Sequence, residues 1–243
     1  MKVKTVIVTG ELNEIGRRTV QEFADEGAHI VIWSTKFSPE SLKEFTVKNI
    51  PNYEFYKVDI ADLKQVESAG AYVFNKYKKI DILINNANAD KAASAKGEIE
   101  DQWEKVIDIN LTAVFNCIKV VAPYMVKNSY GRIINAASMA SISQNLDQTN
   151  YEATKSGLYG ITRVWARELT KHGVTVNAVC SGFLEPEQST KISKEKLNSL
   201  REIIPAGRLG KPEEIVKVYK FLASNDASYI SGAVLNVDGG YFA

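Results

Sequence analysis

Short, β-branched apolar runs alternate with amphipathic stretches of helical length along the whole chain, and that rhythm leaves few folds open. Residues 3–9, VKTVIVT, read as a buried strand, and helix-forming sequence follows from about Ile15 to Glu26. AHIVIW reads as a second strand, PESLKEFTVKN as a helix, YEFYKVD as a third strand, DLKQVESAGAYVFNKYKK as a helix and DILINNA as a fourth strand. A long helical stretch from about Glu98 to Lys127 comes next, with Pro123 expected to kink or stop it. Then follow the run GRIINAAS, a helix over TNYEATKSGLYGITRVWAREL with Thr149 or Asn150 as N-cap, the strand VTVNAVC and a polar segment. A helix after Lys211-Pro212 and a last strand, AVLNV, complete the series. Strands that alternate with helices pair in parallel and are buried on both faces. The expectation is a single α/β domain over residues 1–243, a doubly wound parallel sheet of about seven strands with helices on both faces.

Composition narrows the function classes. At 45% apolar and 24% charged residues, the 243-residue chain is expected to be globular with a substantial core. A net charge of +1 gives no general attraction to nucleic acid or to a membrane surface. Cys117 and Cys180 show neither zinc nor redox spacing and read as small core hydrophobes in a reducing, cytoplasmic setting. No signal peptide is read ahead of the first strand, and no apolar run is expected to span a bilayer. His29 and His172 lie far apart in sequence, so neither a metal site nor a histidine-based triad is expected.

The chemistry points to Ser138–Lys155. Tyr151 and Lys155 stand at i and i+4 of one helix and so share a face. A free phenol, with a pKa of about 10, is a poor acid or base at neutral pH. An ammonium about 5 Å away, at an effective dielectric of about 20, favours the phenolate by roughly 3 kcal/mol, or about two pKa units. Ser138 ends an apolar strand, which puts its hydroxyl at the C-terminal rim where open α/β sheets bind ligands. Chance Tyr-x-x-x-Lys pairs are common in helices, so the context must supply the specificity.

That context is a series of landmarks: TGELNEIG, Asp59, DILINNAN, Asn110 in IDINL, Ser138, YEATK, VNAVCSG, PAGRLGKPEEI and SGAVLNVDGG. In their order and spacing the chain resembles the short-chain dehydrogenase/reductase family, in a form most like its bacterial 3-oxoacyl-carrier-protein reductases. The resemblance implies a Rossmann-type fold and NAD(P)-dependent hydride transfer between nicotinamide and a carbonyl or secondary alcohol. It implies Tyr151 as acid/base and Lys155 as the cation that lowers its pKa and binds the nicotinamide ribose. Ser138 would fix the substrate oxygen, and Asn110 would hold a water linking Lys155 to solvent; the plainer reading of Asn110 is a buried amide at a helix kink.

The implied cofactor site comprises Gly10, Asn13, Glu14, Ile15 and Gly16 in the first turn, and Ser34, Thr35 and Lys36 after the second strand. Asp59 with Ile60, then Asn86, Ala87 and Asn88, then Ser181, Gly182 and Leu184 complete it, beside Tyr151 and Lys155. Four positions depart from the family pattern: Glu14 and Asn88 replace glycines, Ser181 a proline, and Pro186 a threonine. A side chain at 14 is expected to bring strain or exclusion, whereas Asn88 tolerates positive φ. On the plainer reading Glu14 is a first-turn acid that stabilises its helix. Asp59 or Asp62 would cap the following helix on the plainer reading. With no acid and one lysine in Trp33-Ser34-Thr35-Lys36, NADP is favoured over NAD.

Residues 183–203 are expected to form a mobile lid over the substrate. The resemblance makes a 3-oxoacyl thioester on acyl-carrier protein a possible substrate, but the positions that would carry docking arginines are Ser129 and His172, beside Lys127 and Lys171. A free ketone, alcohol or sugar is the rival. Two other classes stay open: a cofactor-impaired or regulatory partner subunit, and cofactor-independent chemistry of the halohydrin dehalogenase kind, which Lys155 disfavours. Trp103, Phe115, Tyr159 and Trp165 lie on the helix pair that relatives use in a four-helix interface, so a homotetramer is implied.

Overall fold

The computed structural model describes residues 4–10, 12–35, 53–89, 100–138, 149–186 and 193–243. In order, the elements are β1 (Thr5–Thr9), α1 (Glu14–Asp25), β2 (His29–Ser34), β3 (Tyr53–Lys57), α2 (Leu63–Tyr77) and β4 (Ile82–Asn85). Then come α3 (Glu100–Ile107), a π-helical turn (Asp108–Thr112), α4 (Ala113–Lys127), β5 (Gly131–Ser138) and α5 (Thr149–Leu169) with a 3₁₀ turn (Thr170–His172). The chain closes with β6 (Val174–Ser181), α6 (Lys194–Ile203), α7 (Pro212–Ala223) and β7 (Val234–Val237). The helix expected over PESLKEFTVKN lies outside the described residues.

The strands form one seven-stranded sheet, ordered β3-β2-β1-β4-β5-β6-β7, and every pairing is parallel. Side chains alternate between two cores, which is why the runs read as continuously apolar. Val6 and Val8 of β1 face Phe23 of α1 and Tyr219 of α7, whereas Ile7 faces Val66 of α2, Ile118 of α4 and Leu158 of α5. The strand order reverses between β1 and β4, and a ligand crevice opens at the carboxyl ends flanking such a reversal.

Several expectations are corrected. Pro123 neither stops nor breaks α4, which runs on to Lys127; the irregularity falls earlier, in the π turn that holds Asn110. Thr149 and Asn150 are already helical, and the Asn150 side chain accepts from Tyr151 N at 2.8 Å. Asp62, not Asp59, caps α2, through Lys64 N at 2.9 Å and Gln65 N at 3.3 Å. The 25-residue span Trp103–Lys127 is long and apolar enough to cross a membrane, contrary to expectation; its most apolar 18-residue stretch has a mean hydropathy of 1.5, and 56% of that stretch is buried inside this fold, as for a core helix. The expected lid is only partly described: Glu185 N donates to Gly210 O at 2.8 Å, Gly210 N to Phe183 O at 2.9 Å, and α6 buries no residue. Residues 187–192 of the lid lie outside the described residues.

Candidate active site

The carboxyl ends of β1, β4, β5 and β6 bring most of the expected residues to one rim. Gly10 follows β1 with φ +92°, and a Cβ there would lie 2.3 Å from Ala87 Cα beyond β4. Only glycine allows that approach, and it shapes the crevice at the strand reversal. Asn13 caps α1, its Oδ1 accepting from Gly16 N at 2.9 Å. A Cβ on Gly16 would stand 3.0 Å from Asn86 Nδ2, a buried donor with no hydrogen-bond partner among the described residues. Ile15 packs on the α1 side of the sheet.

Glu14 is the first residue of α1, and its backbone is not in the left-handed region, so no strain attends the side chain. Its carboxylate instead meets Arg18 one turn on, at 3.4 Å. Asn88 is exposed and likewise has no positive φ, so its tolerance of such a backbone is not called upon. Ser34 is buried at the end of β2, Thr35 is exposed, and Lys36 lies outside the described residues. The Asp59 side chain accepts from Ala61 N at 3.0 Å, and Ile60 O accepts from Asn116 Nδ2 at 3.2 Å, which ties that loop to α4.

On α5, Lys155 is almost wholly buried, and its Nζ lies 5.5 Å from the centre of the Tyr151 ring. The ammonium donates to Ala136 O of β5 at 3.1 Å. Burial pulls its pKa down to about 8, with the Cys180 thiol acting the other way. At that value the lysine is still mainly charged at neutral pH and begins to lose its proton just above it. Ser138, the last residue of β5, is in register with Ser181 of β6, and Gly182 N donates to Val237 O at 2.9 Å. Leu184 bridges to Gly210, and Pro186 is half-buried.

Asn110 sits fully buried in the π turn. Its Nδ2 donates to Ala89 O at 3.0 Å and to Thr154 Oγ1 at 3.3 Å, while Oδ1 accepts from Ala89 N at 2.8 Å. Both amide hydrogens are thereby spent on joining the loop after β4 to α5. Sequence reasoning missed Thr154 and Asn116 in these links, and also Tyr159, whose hydroxyl lies 3.2 Å from Cys180 Sγ and 3.5 Å from Ser138 O. Helical spacing from Tyr151 through Lys155 was the signal that could have found Tyr159. Its ring is thus turned to the sheet, while Trp103 and Phe115 are exposed. Ser129 and His172 adjoin the amino ends of β5 and β6, roughly 25 Å of strand away from Ser138.

The crevice fits a dinucleotide. Two glycines admit its backbone, and the amino end of α1 and the Asn86 amide, which has no hydrogen-bond partner among the described residues, offer donors to phosphate oxygens; the Glu14 carboxylate at that helix end is a charge of the wrong sign. Beside it lies a cation paired with a phenol, and together these define a nicotinamide-linked oxidoreductase. A family profile described as enoyl-(acyl carrier protein) reductase matches residues 10–242. The 3-oxoacyl-(acyl-carrier-protein) reductase FabG of Thermotoga maritima is 38% identical over 240 residues, covering 98% of this chain and 97% of the relative. The proteins of the same name from Staphylococcus epidermidis and Chlamydia trachomatis are 34% and 33% identical over 242 residues, covering 98% of this chain and 99% and 96% of the relatives. The chain belongs to the short-chain dehydrogenase/reductase family and is an NAD(P)-dependent oxidoreductase.

Proposed function

We propose that this enzyme reduces the ketone of a 3-oxoacyl thioester, presented on acyl-carrier protein, to the secondary alcohol, with NADPH as the preferred donor. The observation that carries the reading is the buried Lys155 ammonium 5.5 Å from the Tyr151 ring, at the rim that ends in Ser138. When bound, the nicotinamide cofactor supplies the hydride. Gly10, Gly16, Asn86 and the start of α1 would hold its phosphates, Ser34 and Thr35 would serve its adenosine half, and Asp59 with Ile60 would hold the adenine. Asn13, Ile15, Ala87, Asn88, Ser181, Gly182 and Leu184 would line the remainder.

Ser138 orients the ketone oxygen. Tyr151 gives its phenolic proton to that oxygen as negative charge develops there, and the phenolate regains a proton from solvent. With its ammonium 5.5 Å from the centre of that ring and an effective dielectric of about 20, Lys155 eases that transfer by roughly 3 kcal/mol. The side-chain hydrogens of Asn110 are taken by Ala89 and Thr154, so a water held by this residue would not accept from them. Absence of an acid at Ser34 or Thr35 supports NADP over NAD.

The description of the matching profile favours a second reading, reduction of a carbon–carbon double bond. That reaction puts its proton on carbon, whereas a serine and a phenol gathered about one oxygen suit a ketone. A cofactor-impaired subunit is not favoured, since neither Glu14 nor Asn88 strains the backbone. Exposed Trp103, Phe115 and Val164 on the helices α3 to α5 support a homotetramer, and the two free cysteines accord with a cytoplasmic setting. Incubation with NADPH and either a 3-oxoacyl or a 2-enoyl thioester, with the products identified by mass spectrometry, tests the reading. The secondary alcohol is expected; a saturated thioester, or no nucleotide oxidation, would overturn it.

A further inference from the structure

The tip of β5 carries Ser138 beyond its support on one side. Pairing with β4 ends at Asn135 opposite Asn85, whereas pairing with β6 runs on through Ala136 and Ala137 to Ser138, which lies opposite Ser181. Among the described residues, the end of the strand is therefore held within the sheet by β6 and not by β4. From the helical layer it is gripped by α5. Lys155 Nζ donates to Ala136 O at 3.1 Å, and one turn further along the same helix the Tyr159 hydroxyl reaches Ser138 O at 3.5 Å. That hydroxyl also lies 3.2 Å from the Sγ of Cys180, the buried residue of β6 that pairs with Ala137. Sulfur is a weak acceptor and a carbonyl oxygen can only accept, so the consistent arrangement has the thiol donating to the phenol oxygen and the phenol donating to Ser138 O. The Tyr159 ring packs against the cluster of Ala137, Ala178 and Cys180.

We propose that Tyr159 is a positioning residue: by bridging Cys180 and Ser138 O it fixes the end of β5, and with it the direction of the Ser138 hydroxyl. The proposal rests on the reading that Ser138 orients the substrate ketone. Tyr159 acts through Ser138 rather than on the substrate, holding its main chain from the α5 layer while β6 holds it from the side. Such a grip matters to rate, because misplacing a reacting group by about 1 Å costs about a hundredfold. One hydrogen bond at the strand tip governs part of that displacement, which sets the expected effect at about tenfold.

The test is a double-mutant cycle on the whole chain, with Tyr159→Phe, Ser138→Ala and the two combined, read as NADPH oxidation with a 3-oxobutanoyl thioester of N-acetylcysteamine. Phenylalanine keeps the ring and its packing, and circular dichroism confirms that each variant is folded. Tyr159→Phe should lower kcat about tenfold and leave NADPH affinity within about twofold of the parent. In the Ser138→Ala background the same substitution should change kcat by less than about twofold, because no hydroxyl is left to aim. A role confined to packing would cost the same in both backgrounds. With Ser138→Ala itself slow, a kcat within about twofold of the parent in Tyr159→Phe, or a loss of about tenfold that persists on top of Ser138→Ala, would overturn the proposal and leave the role of Ser138 standing. Parent-like turnover by Ser138→Ala, or a parent protein that does not reduce the thioester, would overturn the reading of the site and the proposal with it.

Discussion

Replacing Lys155 with methionine should make the unliganded protein more stable at neutral pH while removing its chemistry. Lys155 is 2% exposed, and burial brings its ammonium from 10.5 to about 8. At 1.36 kcal/mol per pKa unit, holding that side chain charged in the folded state costs roughly 3 kcal/mol. The substitution forfeits the 3.1 Å hydrogen bond to Ala136 O, worth about 1 kcal/mol. Methionine fills a similar apolar volume, so the net gain is roughly 2 kcal/mol, or about 4 to 8 °C in Tm for a chain of this length. The sign of the pH dependence follows from a folded-state pKa below the unfolded one. Below about pH 8 the lysine is charged in both states and the whole penalty is present; above about pH 10.5 it is neutral in both and the penalty is gone. The parent protein should therefore close the gap as pH rises through that window. Thermal unfolding of both proteins near pH 7 and near pH 10.5, followed by calorimetry, measures it. A variant less stable at pH 7, or more stable by the same margin at both, would refute the burial of a charged lysine.

Two further outcomes follow from geometry. Gly10→Ala puts a Cβ 2.3 Å from Ala87 Cα at a φ of +92°. It should cost about 2 to 4 kcal/mol in urea denaturation and close the crevice to nucleotide. At the foot of the lid, Arg208 holds both oxygens of Glu214 at 2.8 Å and keeps its carboxyl down at about 2. The stability this pair lends is fully present above about pH 4.5 and is lost as pH falls through about 2; Glu214→Gln should flatten that acid limb without moving Tm near pH 7 by more than about 2 °C.

The strands were legible because a sheet buried on both faces leaves no polar alternation to confuse the pattern: TVIVT and VTVNAVC could hardly be surface. The π turn was not legible. Its cause is tertiary, in the bonds from Asn110 to Ala89 and Thr154, and neither partner is near it in sequence. Pro123 misled because a proline on the exposed side of a packed helix gives up one hydrogen bond without ending the helix. The burial of Lys155 could have been read, since it shares the stripe of Leu158 and Thr162 that faces the sheet. Glu14 was over-read as strained: the sequence carries the missing glycine but not the dihedral, and the backbone there is plainly helical. Asn13, read as a cofactor contact, also proves to be the cap of α1.

The central claim is that Tyr151 supplies the proton and Lys155 makes it able to. Its most direct test is the turnover of a 3-oxoacyl thioester by Tyr151→Phe, followed by NADPH oxidation alongside NADPH affinity. A loss of at least about a thousandfold in kcat with affinity unchanged within about twofold is expected. Turnover within about tenfold of the parent protein would contradict the assignment of the phenol as the acid.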